Sequence, residues 1–190
     1  MTNDAPTLCP DADIADLAAL AGKEGAAVHV VLAERLADFP GDPRLHFLNG
    51  SLRAGAGDFD GARTAMRRAI EIAPGYALAR FQLGMLLMTS GEFPAALEVL
   101  QPLVQAAPTN YLEWFASGAA HFMREDFAAA IPALRQGLAL NAENAPLNHD
   151  MALLLSQLER PGEVADTQGG AELSATQLLL QQAALRSTRH

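Results

Sequence analysis

The chain alternates apolar helical stripes with short polar breaks, and the alternation keeps a nearly constant stride. Residues 77–108 show the unit most clearly, reading ALARFQLGMLLMTSGEFPAALEVLQPLVQAAP. Two helical patterns of similar length are divided there by Thr89-Ser90-Gly91. The first carries Leu83, Gly84, Leu86 and Leu87. In the second, Ala96, Leu100 and Leu103 recur at spacings of four and three, which puts them on one helical face. Pro108 ends the second pattern, because proline lacks the N–H and restricts the residue before it. The pattern predicts a helical hairpin.

The hairpin recurs. Gly50, Gly84 and Gly118 stand 34 residues apart, and so do Ala62, Ala96 and Ala130. Phe59 and Phe93 keep the same interval, as do Pro40, Pro74 and Pro108. A glycine inside a helix costs about 1 kcal/mol relative to alanine, so three at one register imply a packing reason. The expected reason is close approach of each first helix to Ala62, Ala96 or Ala130 on the second. Asp58-Phe59, Glu92-Phe93 and Asp126-Phe127 each open a second helix. An acid there suits the positive end of the helix, and the phenyl ring is predicted to tuck under the turn. Pro94 falls in a first turn, where proline is tolerated.

Taken in order, residues 1–10 are expected to be a disordered lead-in. Residues 11–40 form a degenerate helix pair, a short helix with Ile14, Leu17 and Leu20 and a longer one with Val28, Val31, Leu32 and Leu36. Three repeats follow over 43–74, 77–108 and 111–142. The third departs from the others: Gly137 stands where Ala69 and Leu103 stand, and Ala142 where the closing proline should be. Residues 145–190 hold a degenerate fourth repeat. Its first helix runs from Pro146 to Leu158, but the second, Glu163 to Gln168, runs into Gly169-Gly170. A last amphipathic helix, Ala171 to Arg186, carries Leu173, Leu178, Leu180, Ala184 and Leu185. It is expected to cap the array, whose last apolar face would otherwise meet water. Self-association is its alternative role.

A 34-residue period with two helices per unit resembles the tetratricopeptide repeat (TPR) family. Trp114 occupies that family's tryptophan position, followed at the family's spacing by Gly118 and Ala130. Ala69 and Leu103 fill the late small-or-apolar slot, and Pro74 and Pro108 the closing proline slot. The resemblance covers 43–142. It implies an all-α, right-handed superhelical solenoid of antiparallel helix pairs, with about ten helices in a chain of this length.

The resemblance also implies a protein or peptide partner, held on a concave wall lined by the first helix of every pair. The inward positions are Arg44, Phe47 and Ser51 in the first repeat, and Leu78, Phe81, Met85 and Met88 in the second. In the third they are Leu112, Phe115, Ala119 and Phe122. Such an apolar surface, bearing methionine and phenylalanine, adapts to an extended or helical segment. The competing reading is that these residues are core between repeats, or are covered by the chain's own ends. Family members that grip a C-terminal carboxylate present lysine, asparagine and arginine at five inward places. Those places hold Phe47, Ser51, Gln82, Leu112 and Ala116, leaving no cation for a carboxylate. An apolar groove in a small acidic protein is more similar to the TPR chaperones that hold secretion substrates. The expected function is an adaptor or chaperone-like scaffold; the alternative is a self-associating assembly protein built through its C-terminal helix.

Composition narrows the rest. A chain of 190 residues suits one domain or one short array, and an alanine-rich composition that is 50% hydrophobic favours close-packed helices. The net charge of −9 argues against nucleic acid or an anionic membrane as partner. Cys9 is the only cysteine, so there is no internal disulfide and no thiolate metal site. It has no neighbouring histidine to activate it as a nucleophile. The N-terminus is polar and acidic where an export signal would be basic, and no uncharged apolar run reaches the roughly 18 residues of a membrane span. The expectation is a cytoplasmic protein without membrane insertion. No two of the five histidines sit at i, i+3 or i+4 on one helix. His149 and Asp150 are adjacent, and adjacent residues diverge by about 100° on a helix. Gly55 and Gly57 mark a turn rather than a phosphate loop. Neither an enzyme nor a cofactor is expected. Arg63, Arg67 and Arg68 read as a solvated convex face.

Overall fold

The computed structural model describes residues 7–21, 26–105 and 107–159. Among them the chain forms nine helices and no strand. These are α1 (Asp11–Ala21), α2 (Ala26–Asp38), α3 (Pro43–Gly55), α4 (Phe59–Ile72), α5 (Ala77–Thr89), α6 (Phe93–Val104), α7 (Tyr111–Met123), α8 (Phe127–Leu140) and α9 (Ala145–Glu159). The helices α3, α5, α7 and α9 begin at residues 43, 77, 111 and 145, so the 34-residue period of the sequence is the period of the fold. The chain divides into two compact units, Met1–Arg80 and Phe81–His190, with the boundary inside α5.

Polar residues set where the helices start. Asp42 caps α3 by accepting from the Arg44 N–H at 2.9 Å, and Pro43 supplies a preset first turn. Asp58 caps α4 through the Gly61 N–H and Asp126 caps α8 through the Ala129 N–H. Asn110 opens α7 in a reciprocal capping box with Glu113. Glu92 opens α6 without a side-chain cap, and Pro94 in its first turn helps set the start. The three described turns inside the pairs use one left-handed residue each. Gly57 and Gly91 fill it at φ 78°, and Glu125 fills the same register at φ 60°. Only the third turn puts a side chain there.

In unit 1 one core joins Cys9, Leu17, Val28, Leu32 and Leu45, with Ile14, Val31, Leu36, Phe39, Leu48 and Leu52 packed around them. The same unit buries Ala62, Ala65, Met66 and Ala69 on α4. In unit 2 the largest fully buried side chains include Phe81, Leu100, Phe115, Leu134 and Met151. Each such side chain contributes roughly 1.5–3 kcal/mol by leaving water.

Three expectations need correction. The glycines do make room, at Gly50 also for Ala62 as expected, whose carbonyl oxygen a Cβ would meet at 3.2 Å, but chiefly for a large side chain four residues beyond each alanine. A Cβ on Gly50 would lie 2.7 Å from Met66 Cγ, one on Gly84 2.5 Å from Leu100 Cδ2, and one on Gly118 2.7 Å from Leu134 Cδ2. Residues 66, 100 and 134 share the 34-residue interval, so knob and hole repeat together. Second, the phenylalanines that open α6 and α8 do not tuck under their turns: Phe93 is 39% exposed and Phe127 45%. Third, residues 7–10, the described part of the lead-in, are held in place, and Cys9 is buried. Its backbone N–H donates to Asp42 Oδ2 at 2.9 Å, which a disordered segment would not do. The departure at Gly137 has a packing reason. A Cβ there would overlap the Phe115 ring, so the glycine is what lets Phe115 bury completely.

The missing proline at Ala142 is also explained. Asn141, 4% exposed, takes over the turn after α8: its Oδ1 accepts from the Glu143 and Asn144 N–H groups and its Nδ2 donates to the Asn144 carbonyl. The expected segments at 163–168 and 171–186 lie outside the described residues.

Candidate partner-binding face

The eleven inward positions divide by burial. Phe81, Met85, Met88, Phe115 and Ala119 are buried, between 0% and 6% exposed. Arg44, Phe47, Ser51, Leu78, Leu112 and Phe122 are half-buried. Phe81 and Phe115 therefore do not project as free anchors. They lie with ring centroids 6.3 Å apart inside the core of unit 2, and Tyr111 meets Phe115 edge-on at 6.0 Å. The physical reason is the small side chain opposite: Gly137 leaves a hole that the Phe115 ring fills. A ring that can fill such a hole stays out of water.

What unit 2 leaves accessible lies at the two ends of this stripe on α7. Leu112, Phe115, Ala119 and Phe122 follow spacings of three, four and three and so share one face. The middle pair is buried, whereas Leu112 and Phe122 keep partial exposure. Phe122 pairs with Phe127 at 6.2 Å, and Phe127 is nearly half exposed. Together they form an aromatic pair open to contact. Sequence reasoning assigned Phe127 to packing and missed this.

In unit 1 the positions do different work. Phe47 packs on Tyr76 at 5.3 Å, and Ser51 Oγ donates to the Phe47 carbonyl of its own helix at 3.1 Å. Arg44 is engaged within its own unit. Its guanidinium donates to Asp42 at 3.1 Å from Nε and 2.7 Å from Nη2, to the Cys9 carbonyl at 2.6 Å, and to Asp11. Hydrogen bonding to Asp42 pushes the Arg44 pKa upward against the opposing effect of burial. For Asp42, burial alone would raise the carboxyl, but the bonds from Arg44 and from the Cys9 N–H outweigh it and hold the pKa below its ordinary value. Burial, followed by the nearby Asp13 and Asp42 charges, pushes the Cys9 thiol up and keeps it neutral. Sequence reasoning also missed this hub, although Asp-Pro at a helix start is a capping signal.

Other polar groups pair with one another or with the backbone. Arg67 and Arg68 are exposed and Arg63 half-buried; Arg68 pairs with Glu71 at 3.1 Å and Arg63 with Asp60. At the pair turns, Arg53 bonds the cap Asp58, and His121, at the same register, meets the cap Asp126 at 3.0 Å. His46 meets the Pro40 carbonyl at 2.8 Å. Among the described residues no group of three or more His, Cys, Asp or Glu could hold a metal, and no helix is long and apolar enough to cross a membrane.

Repeated antiparallel helix pairs that offer apolar side chains rather than a reactive cluster define a helical-repeat protein of the kind that serves as a protein-interaction scaffold. Two family models, each described as tetratricopeptide repeat, match residues 53–117 and 13–77, together more than half the chain. The chain belongs to the tetratricopeptide repeat family. No curated protein matches it. Among solved structures it is similar to "MamA RS-1 ArsTM double mutant", with 19% identity, 95% of this chain and 98% of that one covered, and a TM-score of 0.56. It is also similar to "MamA 41-end from Desulfovibrio magneticus RS-1", with 18% identity, coverage of 95% and 99%, and a TM-score of 0.53. These likenesses establish the all-α TPR-like solenoid fold.

Proposed function

We propose that the protein is an adaptor or chaperone-like scaffold that holds an apolar segment of a partner protein. The observation that carries this is the aromatic pair of Phe122 and Phe127, left partly in water at the end of the α7 stripe, whose middle residues Phe115 and Ala119 are buried. Aromatic side chains are the usual anchors of protein interfaces, and partial exposure in a ready-made cluster is what a partner needs. On unit 1, Phe47, Ser51 and Leu78 are half-buried candidates of their own. Within unit 2, Phe81, Met85, Met88, Phe115 and Ala119 are buried and serve as packing. The proposed role uses no cofactor and no catalytic step. We place it in the cytoplasm, in keeping with the free, buried thiol of Cys9.

Affinity capture with wild type and a Leu112→Asp/Phe122→Asp variant tests this, with circular dichroism to show that both keep their helices. A protein retained by the first and lost by the second supports the reading. The same protein retained by both removes it.

A second reading, self-association through residues 171–190, has one observation in its favour. Ala152 on α9 is exposed, although it occupies the register of the buried Gly50 and Gly118. That side of α9 is therefore open to a helix from this chain or from another copy. Sedimentation of a chain lacking 171–190 decides: a wild-type oligomer that becomes monomer upholds self-association, and an unchanged state rejects it.

A further inference from the structure

Segment 7–10 is fastened to unit 1 through one residue. Cys9 donates its N–H to Asp42 Oδ2 at 2.9 Å and accepts at its carbonyl from Arg44 Nη2 at 2.6 Å. Both backbone polar groups of Cys9 are thus held by two side chains of a single helix N-terminus. Its thiol side chain sits in a socket made by Leu17, Val28, Leu32 and Leu45. Two residues on, Asp11 accepts from Arg44 Nη1. Leu8, on the other side, is 52% exposed and plays no part in the fastening.

The gripping pair does not depend on the segment it grips. Asp42 caps α3 through the Arg44 N–H at 2.9 Å, and the Arg44 Nε reaches back to Asp42 Oδ1 at 3.1 Å. These bonds join residues two apart in sequence, so the start of α3 organises the pair by itself. A backbone N–H acceptor, a carbonyl donor, an adjoining socket and a cation for a following carboxylate are the components of a peptide subsite. Preorganised donors and acceptors lower the cost of binding a flexible segment.

We propose that Asp42, Arg44 and this socket form a peptide-binding notch, and that residues 7–10 are its resident occupant. A partner segment of the same chemistry, a small apolar residue followed by proline and an acid, binds there by displacing the chain's own N-terminal segment. The notch shares no residue with the face bearing Leu112, Phe122 and Phe127, and it stands or falls independently of that reading.

The test uses the full chain and a fluorescein-labelled peptide, TLAPDAD, which is residues 7–13 with alanine for cysteine. A Cys9→Glu chain, whose carboxylate cannot occupy the apolar socket, is expected to bind this peptide at least tenfold more tightly than a Cys9→Ala chain. Adding Arg44→Leu to the Cys9→Glu chain is expected to abolish that binding. Absence of binding to Cys9→Glu, or equal binding to both single variants, overturns the proposal. Hydrogen exchange on the unaltered chain tests it without any risk of misfolding. The amides of Cys9 and Arg44 both bond to Asp42, so a segment that leaves an intact notch gives Cys9 exchange at least tenfold faster than Arg44. Equal protection of the two amides means that the segment leaves only when the notch itself unfolds, and the proposal fails.

Discussion

In unit 1 the first helix pair is fastened to α3 by a buried carboxylate and a guanidinium, Asp42 and Arg44, which also take both backbone groups of Cys9. In unit 2 the closeness is steric throughout, as it also is where Met66 meets Gly50 in unit 1: Leu100 and Leu134 fill the holes at Gly84 and Gly118, and Phe115 fills the one at Gly137. Both units build helix pairs on the same period, yet they are vulnerable to different insults. A charge pair removed from water is sensitive to the loss of either partner and to protonation. A close-packed apolar seam is indifferent to pH and sensitive to one methyl group.

The largest effect should come from breaking the polar hub. Asp42→Ala removes the α3 cap, leaves the buried Cys9 N–H without its acceptor and takes from Arg44 one of its two carboxylates, and should cost unit 1 about 2–4 kcal/mol. Asp42→Asn should cost clearly less, since asparagine still caps a helix. Residue-resolved hydrogen exchange on α3 and α8 measures the two units separately, and a loss shared equally by both would erase the contrast.

Overpacking the steric seam comes next. Gly137→Ala drives a Cβ into the Phe115 ring, and should destabilise unit 2 by about 1–3 kcal/mol in urea unfolding. Adding Phe115→Leu should return part of that loss, because the flexible side chain can yield. A Gly137→Ala chain as stable as wild type would show that the ring has room to move.

Acid should separate the units in the same direction. The Asp42 carboxyl, ordinarily at 3.8, is lowered in the fold, as is that of Asp58, which the Gly61 N–H and then Arg53 stabilise. A lowered pKa contributes stability that is fully present above the unfolded value and is lost as pH falls through the folded one. On lowering the pH through the carboxylate range, α3 protection should therefore fall before α8 protection. In unit 2 Glu113, held down chiefly by the Thr109 N–H, adds a loss of the same sign.

The smallest predicted effect has the opposite sign. Glu125 holds the left-handed position that Gly57 and Gly91 hold in the other turns. Such a backbone costs a residue with a side chain about 1–2 kcal/mol, partly offset by the freedom glycine has when unfolded. Glu125→Gly should raise the stability of unit 2 by roughly 0.5–1 kcal/mol in urea unfolding.

The architecture was legible because every level of the sequence repeats it. Gly50, Gly84 and Gly118 share one register, the acids at 58, 92 and 126 share another, and helices begin where those registers place them. Burial along the inward stripe was not legible. Whether Phe115 faces solvent depends on the size of the residue opposite, and Gly137 reads in sequence as a missing side chain rather than as a socket. The hub at Asp42 escaped for a related reason. Cys9 and Asp42 are 33 residues apart, and no periodicity links a residue before the first helix to a cap before the third. Phe127 was misassigned because its register suggested packing, while its turn leaves it beside Phe122 in partial contact with water.

The central claim is that a partner is held by the half-exposed apolar side chains and not by the buried ones beneath them. The most direct measurement is a titration of the captured partner against wild type, a Phe122→Asp/Phe127→Asp variant, and a Met85→Leu variant as a buried control. The account predicts at least a tenfold loss of affinity for the double variant and an unchanged affinity for Met85→Leu. Equal binding by wild type and the double variant, with helical content intact, would contradict it.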